Sequence, residues 1–339
     1  MSDKLKSVFV TGSAGFIGYH LSLELIRQGY DVIGIDSLNE YYDLSLKLNK
    51  NKILQKYQNF TFYEMNLDNM KSLKQIFQKH RPNYIFHLAA QAGVRYSIEN
   101  PREYLNSNIN GTYNIVELVQ HQQIEHLLFA STSSVYGSNV NLPFKEKDKA
   151  DEQMSFYAST KKSCEVILHS FSHIYKIPIT AFRFFTVYGP WGRPDMALFK
   201  FTRSILNDES IDVYNYGKME RDFTYIDDLI HAIVSLKNKA PDITENLNKD
   251  ISSIAPFRVI NIGNGEAVNL MRFINLIEKK LNKRAKINFL GLQKGDVPKT
   301  LSDTKILDEL IGKNRKKTNI EDGINNFVDW YLKYYHKDH

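Results

Sequence analysis

Short apolar runs alternate along this chain with longer stretches in which apolar residues recur every three or four positions. The first run, residues 8–10, is followed by a helical pattern that contains Phe16, Leu21 and Leu25, and then by a second run at residues 32–35. Runs that are apolar throughout indicate strands buried on both faces. Five further runs continue the alternation: FTFYEMNL, YIFHLAA, HLLFAST, ITAFRFF and RVINIG. The pattern predicts an α/β protein with a doubly wound parallel sheet, whose ligands bind at the carboxyl ends of the strands.

Composition and charge narrow the class of protein. The 339 residues carry a net charge of +6, but lysine and arginine are spread among acidic residues, so we expect no nucleic-acid partner. No apolar stretch reaches the roughly 18 residues of a membrane span, and the N-terminus lacks the apolar region of a signal peptide. Cys164 is the only cysteine, which excludes an intramolecular disulfide and fits a reducing compartment. We therefore expect a cytoplasmic protein without a membrane partner.

Three glycines stand between the first strand and the first helix. Gly12, Gly15 and Gly18 follow one another at three-residue spacing. Glycines at this point allow a tight turn, a close approach of the backbone to a pyrophosphate and close packing of the helix on the strand. The free N–H groups at the start of the helix favour the phosphates. Strand, turn and helix together predict a dinucleotide-binding βαβ unit.

The second strand ends at Asp36, about 20 residues beyond the glycines, where a carboxylate accepts hydrogen bonds from an adenosine ribose. A 2′-phosphate at this point would meet a like charge, so Asp36 favours NAD over NADP. The alternative is that Asp36 only caps the loop DSLNEYYD that follows it.

Hydroxyl groups and a tyrosine–lysine pair are the candidates for acid–base chemistry. The stretch HLLFASTSSVYG opens from a buried strand into four hydroxyl residues at 131–134. Tyr157 and Lys161 stand four apart, so a helix would place both side chains on one face. A neighbouring ammonium lowers the tyrosine pKa from about 10, so that Tyr157 could take a proton from a hydroxyl group. The alternatives are a turn-forming strand end and an exposed tyrosine beside a solvated lysine.

Together these motifs resemble the extended short-chain dehydrogenase/reductase family of NAD-dependent epimerases and dehydratases. Across nearly the whole chain the resemblance narrows to the UDP-glucuronate 4-epimerases, through TGSAGFIGYHL, IDSLNEYYDLSLK, AAQAGVRYSIENP, SSVYG, YASTKK, RFFTVYGPWGRPDMALFKFT, VYNYGKMERDFTYIDD and GDVPKTLSD. The block GPWGRPDMALFKF is the most specific, because it is long and contains two prolines and a tryptophan in a fixed order. The resemblance implies a Rossmann sheet with a smaller α/β substrate-binding cap, NAD as cofactor, a UDP-sugar as substrate and no metal ion.

The resemblance implies a catalytic role for three residues. Tyr157 would remove the C4 hydroxyl proton of a nucleotide sugar, Lys161 would lower the pKa of Tyr157 and hold the nicotinamide ribose, and Thr132 would hydrogen-bond the reacting oxygen. NAD would take the C4 hydride, the 4-keto sugar would rotate, and the hydride would return to the opposite face. The implied cofactor-binding residues are Gly12, Gly15, Phe16, Ile17, Gly18, Asp36, Asn66, Leu67, Ala89 and Ala90, together with Tyr157 and Lys161.

Substrate recognition is implied in the same way. The hydroxyl residues would contact the sugar carboxylate, Arg221 the diphosphate and Asp296 the uridine ribose, and guanidinium and carboxylate groups suit those partners. The implied substrate-binding residues are Arg95, Ser133, Ser134, Thr186, Arg193, Arg221 and Asp296.

Simpler interpretations of the charged residues remain open at this point. Arg193 could be a surface residue that pairs with Asp195. Arg221 could form a salt bridge with Asp222 or Asp227, and Asp296 could be a turn residue.

Two positions distinguish this chain from related enzymes. Related dehydratases carry an acidic pair directly after the triad threonine, where this chain has Ser133 and Ser134, so no acid is available there to eliminate water. Asn66 stands where the family usually has an aspartate against the adenine amino group. Its amide oxygen can still accept a hydrogen bond, so we expect adenine binding to survive with a less polar contact.

The chain is predicted to form two domains and to dimerise. Residues 1–187 with 222–265 would bind NAD, and residues 188–221 with 266–339 would form the nucleotide-sugar-binding cap. The stretches EYLNSNINGTYNIVELVQ and SFYASTKKSCEVILHSFSHIY are predicted as two long helices. In the family such helices pair across a two-fold axis, so their outer apolar residues favour a homodimer; the alternative is ordinary core.

The leading hypothesis is an NAD-dependent epimerase that interconverts UDP-glucuronate and UDP-galacturonate. The alternatives are a C4-epimerase of another UDP-sugar, such as UDP-glucose or UDP-N-acetylglucosamine, a UDP-glucuronate decarboxylase, and a non-catalytic NAD-sensing protein. The intact set of Thr132, Tyr157 and Lys161 argues against the sensor, which would not need all three.

Overall fold

The computed structural model describes residues 6–244 and 250–336. Its strands, in chain order, are β1 (Ser7–Thr11), β2 (Asp31–Asp36), β3 (Phe60–Glu64), β4 (Tyr84–His87), β5 (His126–Thr132), β6 (Ile179–Phe184), β7 (Thr186–Tyr188), β8 (Ser210–Val213), β9 (Glu220–Tyr225), β10 (Phe257–Ile262), β11 (Ala267–Asn269) and β12 (Lys286–Phe289). Its α-helices are α1 (Phe16–Arg27), α2 (Leu44–Leu54), α3 (Met70–His80), α4 (Tyr96–Glu99), α5 (Pro101–Tyr104), α6 (Gly111–Val119), α7 (Phe156–Tyr175), α8 (Ala197–Leu206), α9 (Ile226–Lys237), α10 (Leu270–Leu281), α11 (Lys305–Ile311) and α12 (Ile320–Tyr335).

Seven parallel strands form the central sheet, in the order β10-β6-β5-β4-β1-β2-β3. The order reverses beside β1, which creates the crevice where such sheets bind ligands. All the apolar runs that the sequence pattern identified as strands lie in this sheet. The predicted α/β class and the doubly wound parallel sheet are therefore confirmed.

Both faces of the sheet are covered by helices, and this explains the unbroken apolar runs. Successive residues of β1 point to opposite faces: Phe9 belongs to one buried cluster, whereas Val8 and Val10 belong to the other. All three side chains are fully buried. A strand covered on both faces has no solvent side, so the two-residue alternation of polar and apolar positions is lost.

Two smaller sheets lie next to the large one. In the first, β9 pairs parallel with β7 and antiparallel with β11. In the second, β12 pairs parallel with β8. Thr186, at the start of β7, and Arg221, near the start of β9, contribute to the site described below.

The helical stretch after residue 101 differs from the single long α-helix that the sequence predicts. Residues Leu105–Asn110, between α5 and α6, form a π-helical turn. Within it Asn108 is buried, accepts a hydrogen bond from the backbone N–H of Gln91 at 2.8 Å, and donates to the carbonyl of Gln91 at 3.1 Å. Asparagine is a poor helix former, and a side chain tied to a neighbouring segment favours a local widening of this kind. The second predicted long helix is α7.

Among the described residues, no helix combines the length and the hydropathy needed to cross a membrane.

Candidate active site

The glycine turn, residues 11–18, is shaped by the absence of side chains. Gly12 has a φ of 74°, its N–H donates to the carbonyl of Ile35 at 2.7 Å, and a Cβ at Gly12 would lie 2.9 Å from the nitrogen of Ala89. A Cβ at Gly18 would lie only 2.0 Å from the carbonyl oxygen of Gly12. Real side chains do not fit at such distances, so the turn packs tightly on β2, on the end of β4 and on its own helix. This cradle fits a dinucleotide pyrophosphate.

Asp36 ties the end of β2 to the glycine turn. Its carboxylate accepts hydrogen bonds from the backbone N–H of Ala14 at 3.0 Å and of Leu38 at 2.9 Å. The carboxylate therefore does cap the following loop, as the simpler interpretation holds. A carboxylate has about four acceptor positions, so two remain for ribose hydroxyls. Capping and ribose binding are thus compatible.

The other cofactor-binding candidates lie along the same edge of the sheet. Phe16 is buried and Ile17 half-buried at the start of α1. Leu67 is buried after β3, and the neighbouring Asn66 is exposed. Ala89 and Ala90 follow β4 and are half-buried, and the N–H of Ala89 donates to the hydroxyl of Thr11 at 3.1 Å.

The three catalytic candidates come from β5 and α7. Thr132 is the last residue of β5, and Tyr157 lies in the first turn of α7, which begins after the cap residue Ser155. The hydroxyl of Ser155 accepts a hydrogen bond from the N–H of Ala158 at 3.1 Å and so fixes this end of the helix. Lys161 lies one turn further on and is buried. The strand end and the helix start bring Thr132 close enough to Tyr157 to lower the pKa of the phenol, and the Thr132 hydroxyl itself donates to that of Ser134 at 3.2 Å.

The electrostatic surroundings of Tyr157 differ from the sequence prediction. Burial raises the pKa of Tyr157, while the positive charge of Arg193 and the hydrogen bond with Thr132 lower it. The sequence pattern assigned that positive charge to Lys161. Burial lowers the pKa of Lys161 to about 8, against the opposing effects of Cys164 and Glu165. The Lys161 ammonium lies 4.1 Å from the centre of the Phe129 ring.

A second group of candidates forms what we call the substrate pocket. Five of the seven predicted substrate-binding residues line it, and they come from the turn after β5, from β7, from β9 and from the segment between β12 and α11: Ser133, Ser134, Thr186, Arg221 and Asp296. Apolar walls, which the sequence analysis did not identify, complete the pocket: Val94, Tyr136, Phe144 and Met154. Val94 and Tyr136 lie within the motifs AAQAGVRYSIENP and SSVYG, and Phe144 and Met154 lie outside any quoted motif; only the fold brings the four together.

Arg221 and Asp296 form an ion pair across the substrate pocket. An Arg221 side-chain nitrogen lies 2.7 Å from the Asp296 carboxylate, and both side chains are partly exposed. Asp296 also accepts a hydrogen bond from the N–H of Val297 at 3.0 Å, which is consistent with a turn residue. The alternative partners predicted for Arg221, Asp222 and Asp227, are not its partners. Asp222 instead accepts hydrogen bonds from the N–H and hydroxyl of Ser302.

Arg193 and Arg95 lie outside the walls of the substrate pocket. The guanidinium of Arg193 pairs with the Asp195 carboxylate through two contacts at 2.9 and 2.5 Å, and Tyr41 donates to the same carboxylate at 3.3 Å. Arg193 therefore does pair with Asp195, as the simpler interpretation holds, but its side chain is largely buried and does not lie on the surface. Arg95 is exposed and packs over the Tyr214 ring at 5.0 Å.

Sequence reasoning also missed a buried polar cluster next to the catalytic candidates, formed by Ser131, Glu165 and Arg183. One signal was available: Glu165 follows Lys161 by four residues and therefore lies on the same face of α7. Among the described residues, no group of three or more His, Cys, Asp or Glu side chains is arranged to hold a metal ion.

Comparison with known proteins places this site in a family. The profile of the NAD dependent epimerase/dehydratase family matches residues 8–249. Protein CapI of Staphylococcus aureus is 52% identical over 97% of this chain and 99% of its own length, and the probable UDP-glucuronate 4-epimerase of Rhizobium meliloti (strain 1021) is 46% identical over 97% and 98%. The crystal structure of UDP-glucuronic acid 4-epimerase from Bacillus cereus in complex with UDP-glucuronic acid and NAD superimposes with a TM-score of 0.86 at 32% identity, covering 97% of this chain and 100% of that one.

The chain belongs to the NAD dependent epimerase/dehydratase family. This membership confirms the predicted resemblance to NAD-dependent epimerases and dehydratases. It also confirms that the chain is an epimerase-family enzyme and that NAD is its cofactor.

Proposed function

We propose that this chain catalyses the NAD-dependent C4 epimerisation of a UDP-uronic acid and interconverts UDP-glucuronate and UDP-galacturonate. Similarity to the probable UDP-glucuronate 4-epimerase of Rhizobium meliloti and to the UDP-glucuronic acid 4-epimerase of Bacillus cereus supports this substrate. The observation that carries the proposal is the substrate pocket itself. Ser133, Ser134, Thr186 and Arg221 line this pocket, and the Thr132 hydroxyl donates to the Ser134 hydroxyl at 3.2 Å, which supports a substrate held next to Thr132.

In this proposal Tyr157 accepts the proton of the C4 hydroxyl, and Thr132 hydrogen-bonds the reacting oxygen. NAD, when bound, supplies the acceptor and donor for the C4 hydride. Because burial raises the pKa of Tyr157, the residue needs positive neighbours to act as a base near neutral pH. Arg193 is one such neighbour. Lys161 is proposed to hold the nicotinamide ribose and to add its positive charge.

The hydroxyl residues of the pocket are proposed to hold the sugar carboxylate. Oxidation at C4 turns glucuronate into a β-keto acid, which loses carbon dioxide readily, so the carboxylate must be held without assisting that loss. Ser133, Ser134 and Thr186 offer neutral donors that can follow the carboxylate as the ring turns. This chain has serines, and no acidic residue, at positions 133 and 134. The lack of an acid at these positions disfavours elimination of water.

The remaining site residues keep the roles that the resemblance implies. Arg221 is proposed to contact the diphosphate and Asp296 the uridine ribose, which requires the substrate to loosen their mutual ion pair. Arg95 and Arg193 complete the proposed substrate site. The proposed cofactor site comprises Gly12, Gly15, Phe16, Ile17, Gly18, Asp36, Asn66, Leu67, Ala89 and Ala90, with Tyr157 and Lys161.

The proposal extends to domains, assembly and location. Residues 1–187 with 222–265 are proposed as the NAD-binding domain, and residues 188–221 with 266–339 as the cap. A homodimer is supported by exposed apolar side chains on the helical stretch after residue 101 and on α7: Leu105, Tyr113, Val166, Ile174 and Tyr175. Light scattering of the purified protein tests this. A single cysteine supports a cytoplasmic location, which fractionation of the source cells tests.

The deciding experiment incubates the purified protein with UDP-glucuronate, without added reductant, and follows the products by NMR. UDP-galacturonate without net NADH supports the proposal. A UDP-pentose product would identify a decarboxylase. If UDP-glucuronate is unchanged, conversion of UDP-glucose or UDP-N-acetylglucosamine would identify an epimerase of another UDP-sugar.

A Tyr157→Phe variant separates an enzyme from an NAD-sensing protein. Removal of a general base lowers turnover by about 100- to 10,000-fold. Retained NAD in this variant shows that the fold is intact. Tyr216→Phe, which removes an exposed phenol, is the matched control and should keep full activity. Unchanged turnover in Tyr157→Phe would overturn the proposed base.

A further inference from the structure

A buried polar cluster, which we call the Glu165 clamp, lies behind the catalytic residues and consists of Ser131, Glu165 and Arg183. The Ser131 hydroxyl donates to one Glu165 oxygen at 2.6 Å. Arg183 donates to both Glu165 oxygens, at 3.0 and 2.9 Å. All three residues are at most 3% exposed. Both carboxylate oxygens are therefore held in a fixed, bidentate geometry.

The Glu165 clamp connects the two elements that carry the catalytic residues. Ser131 directly precedes Thr132 on β5, and Arg183 is its neighbour in register on β6. Glu165 lies on α7, one turn beyond Lys161 and two turns beyond Tyr157. The clamp thus joins the strand that ends in Thr132 to the helix that begins with Tyr157.

Arg183 extends the clamp to the wall of the substrate pocket. Its guanidinium lies 4.7 Å from the centre of the Tyr136 ring, and one of its nitrogens donates to the carbonyl of Glu146 at 3.2 Å. Tyr136 ends the turn that carries the two pocket serines. The clamp therefore includes a residue just before Ser133 and Ser134 in the chain and contacts one just after them.

Stability alone is a weak reason for such an arrangement. The desolvation of two buried charges often offsets their attraction, and well-packed apolar residues can replace a buried pair without loss. A bidentate pair with a third polar partner does, however, fix one geometry among its three elements. In this chain those elements hold the reacting groups.

We propose that Glu165 is a positioning residue, which the Ser131 hydroxyl and Arg183 hold so that Thr132, at the end of β5, stays beside Tyr157, at the start of α7. This inference rests on the proposed function for its catalytic readout. When the Ser131 contact is lost, the end of β5 is freed and the interaction of Thr132 with Tyr157 weakens. That interaction lowers the pKa of Tyr157, so its weakening raises the pKa and moves the acidic limb of the activity profile to higher pH.

Other charged or titratable groups near Tyr157 do not belong to the clamp. Arg193 faces it from the segment before α8, Tyr104 approaches it from α5 with ring centres 6.0 Å apart, and Cys164 and Lys161 lie on α7 itself. A change confined to Ser131 leaves all of them in place. The shift in the pH profile therefore reports on Thr132.

The test compares Ser131→Ala with Ser172→Ala in the NAD-containing protein. Ser172 is a matched control, because it is buried on α7 and its hydroxyl donates one hydrogen bond, to the carbonyl of Ile177 at 2.8 Å, away from the site. We expect Ser131→Ala to lower kcat about tenfold at neutral pH with little change in KM, since small misplacements of reacting groups cost up to about 100-fold. Its acidic limb should move to higher pH. Ser131→Thr, which keeps the hydroxyl, should restore most of the activity.

Equal kcat values and pH profiles in Ser131→Ala and Ser172→Ala would overturn the proposal. If Ser131→Ala does not fold, Ser131→Cys takes its place, because a thiol is a weak donor and the change leaves Glu165 and its effect on the pKa of Lys161 intact; it should move the acidic limb in the same direction. An ultraviolet titration of the Tyr157 phenolate, with Tyr157→Phe as the reference, gives a readout that needs no substrate. A wild-type protein that is inactive on UDP-glucuronate would refute the proposed function alone. The titration would then decide whether the clamp positions Thr132, because it compares the pKa of Tyr157 in the wild type and in Ser131→Ala without substrate.

Discussion

The glycine turn and the substrate pocket lie at the same edge of the central sheet but are built in different ways. The turn is continuous in sequence, and backbone atoms set its shape: Gly15 N–H donates to the carbonyl of Gly12 at 2.9 Å, and Gly18 leaves no room for a Cβ. The substrate pocket is assembled from distant segments whose polar side chains bind one another. Its Arg221–Asp296 pair joins residues 75 positions apart.

This difference predicts different responses to mutation. The glycine turn, whose shape depends on the absence of side chains, should lose this shape and its NAD binding when a single Cβ is added. A pocket whose polar groups are satisfied by partners should keep its shape when one partner is lost, but should bind its ligand less well. The cofactor site is thus expected to respond in an all-or-none manner, and the substrate site in a graded one.

The largest effect is expected at Gly18. An added Cβ would lie 2.0 Å from the carbonyl oxygen of Gly12, so Gly18→Ala must push the helix away from the turn. We expect the purified variant to lack NAD and to lose activity by at least about 100-fold, because the phosphate cradle is displaced. Absorbance and release of bound nucleotide measure the NAD content.

The matched control for this prediction is Gly291→Ala. A Cβ there would have no atom within 4 Å, so NAD content and activity should stay unchanged. Full NAD occupancy in Gly18→Ala would contradict the view that close packing shapes the turn.

An intermediate effect is expected at Arg221. Its replacement by alanine removes the proposed diphosphate contact and leaves the Asp296 carboxylate facing the substrate's negative charge. We expect KM for the UDP-sugar to rise roughly 10- to 100-fold, since hydrogen bonds to charged groups contribute about 1.5–3 kcal/mol. Steady-state kinetics measure this, and the NAD content should not change.

Two further variants sharpen the Arg221 prediction. In Arg221→Ala with Asp296→Asn, part of the affinity should return, because the unpaired carboxylate is neutralised. Lys299→Ala removes an exposed ion pair with Glu220 at 2.6 Å and should leave KM unchanged. If Arg221→Ala lost NAD instead of substrate affinity, the division into two independently built sites would be wrong.

The smallest effect is expected at Asn66. Asn66→Asp provides a charged acceptor for the adenine amino group, and charge-assisted hydrogen bonds are stronger than neutral ones. We expect NAD to dissociate about fivefold more slowly. Stopped-flow exchange against excess nucleotide measures the rate, with Asp68→Asn, an exposed neighbour, as the control. Faster release in Asn66→Asp would place the adenine away from this residue.

Sequence patterns were most informative where chemistry depends on neighbouring residues. The glycine turn, Asp36 and the Tyr157–Lys161 spacing could each be identified, because one strand, one turn or one helix fixes their geometry. The source of the positive charge near Tyr157 could not be identified from the sequence. The sequence indicated Lys161, one helical turn away, whereas Arg193 lowers the pKa of Tyr157 from a segment that only the fold brings close. Likewise, the π-helical turn depends on the hydrogen bonds between the Asn108 side chain and the backbone of Gln91, which the sequence does not reveal.

By itself the sequence determined the parallel sheet, the order of its strands along the chain and the residue types at the cofactor edge, because these follow from local hydrophobic periodicity and short turns. Only the tertiary structure decided which charges pair. Asp195 was one alternative considered for Arg193, but Asp296 for Arg221 and Glu165 for Arg183 were not evident from spacing. The physical reason is that an ion pair needs two groups within about 4 Å, and long-range packing, not sequence separation, sets that distance.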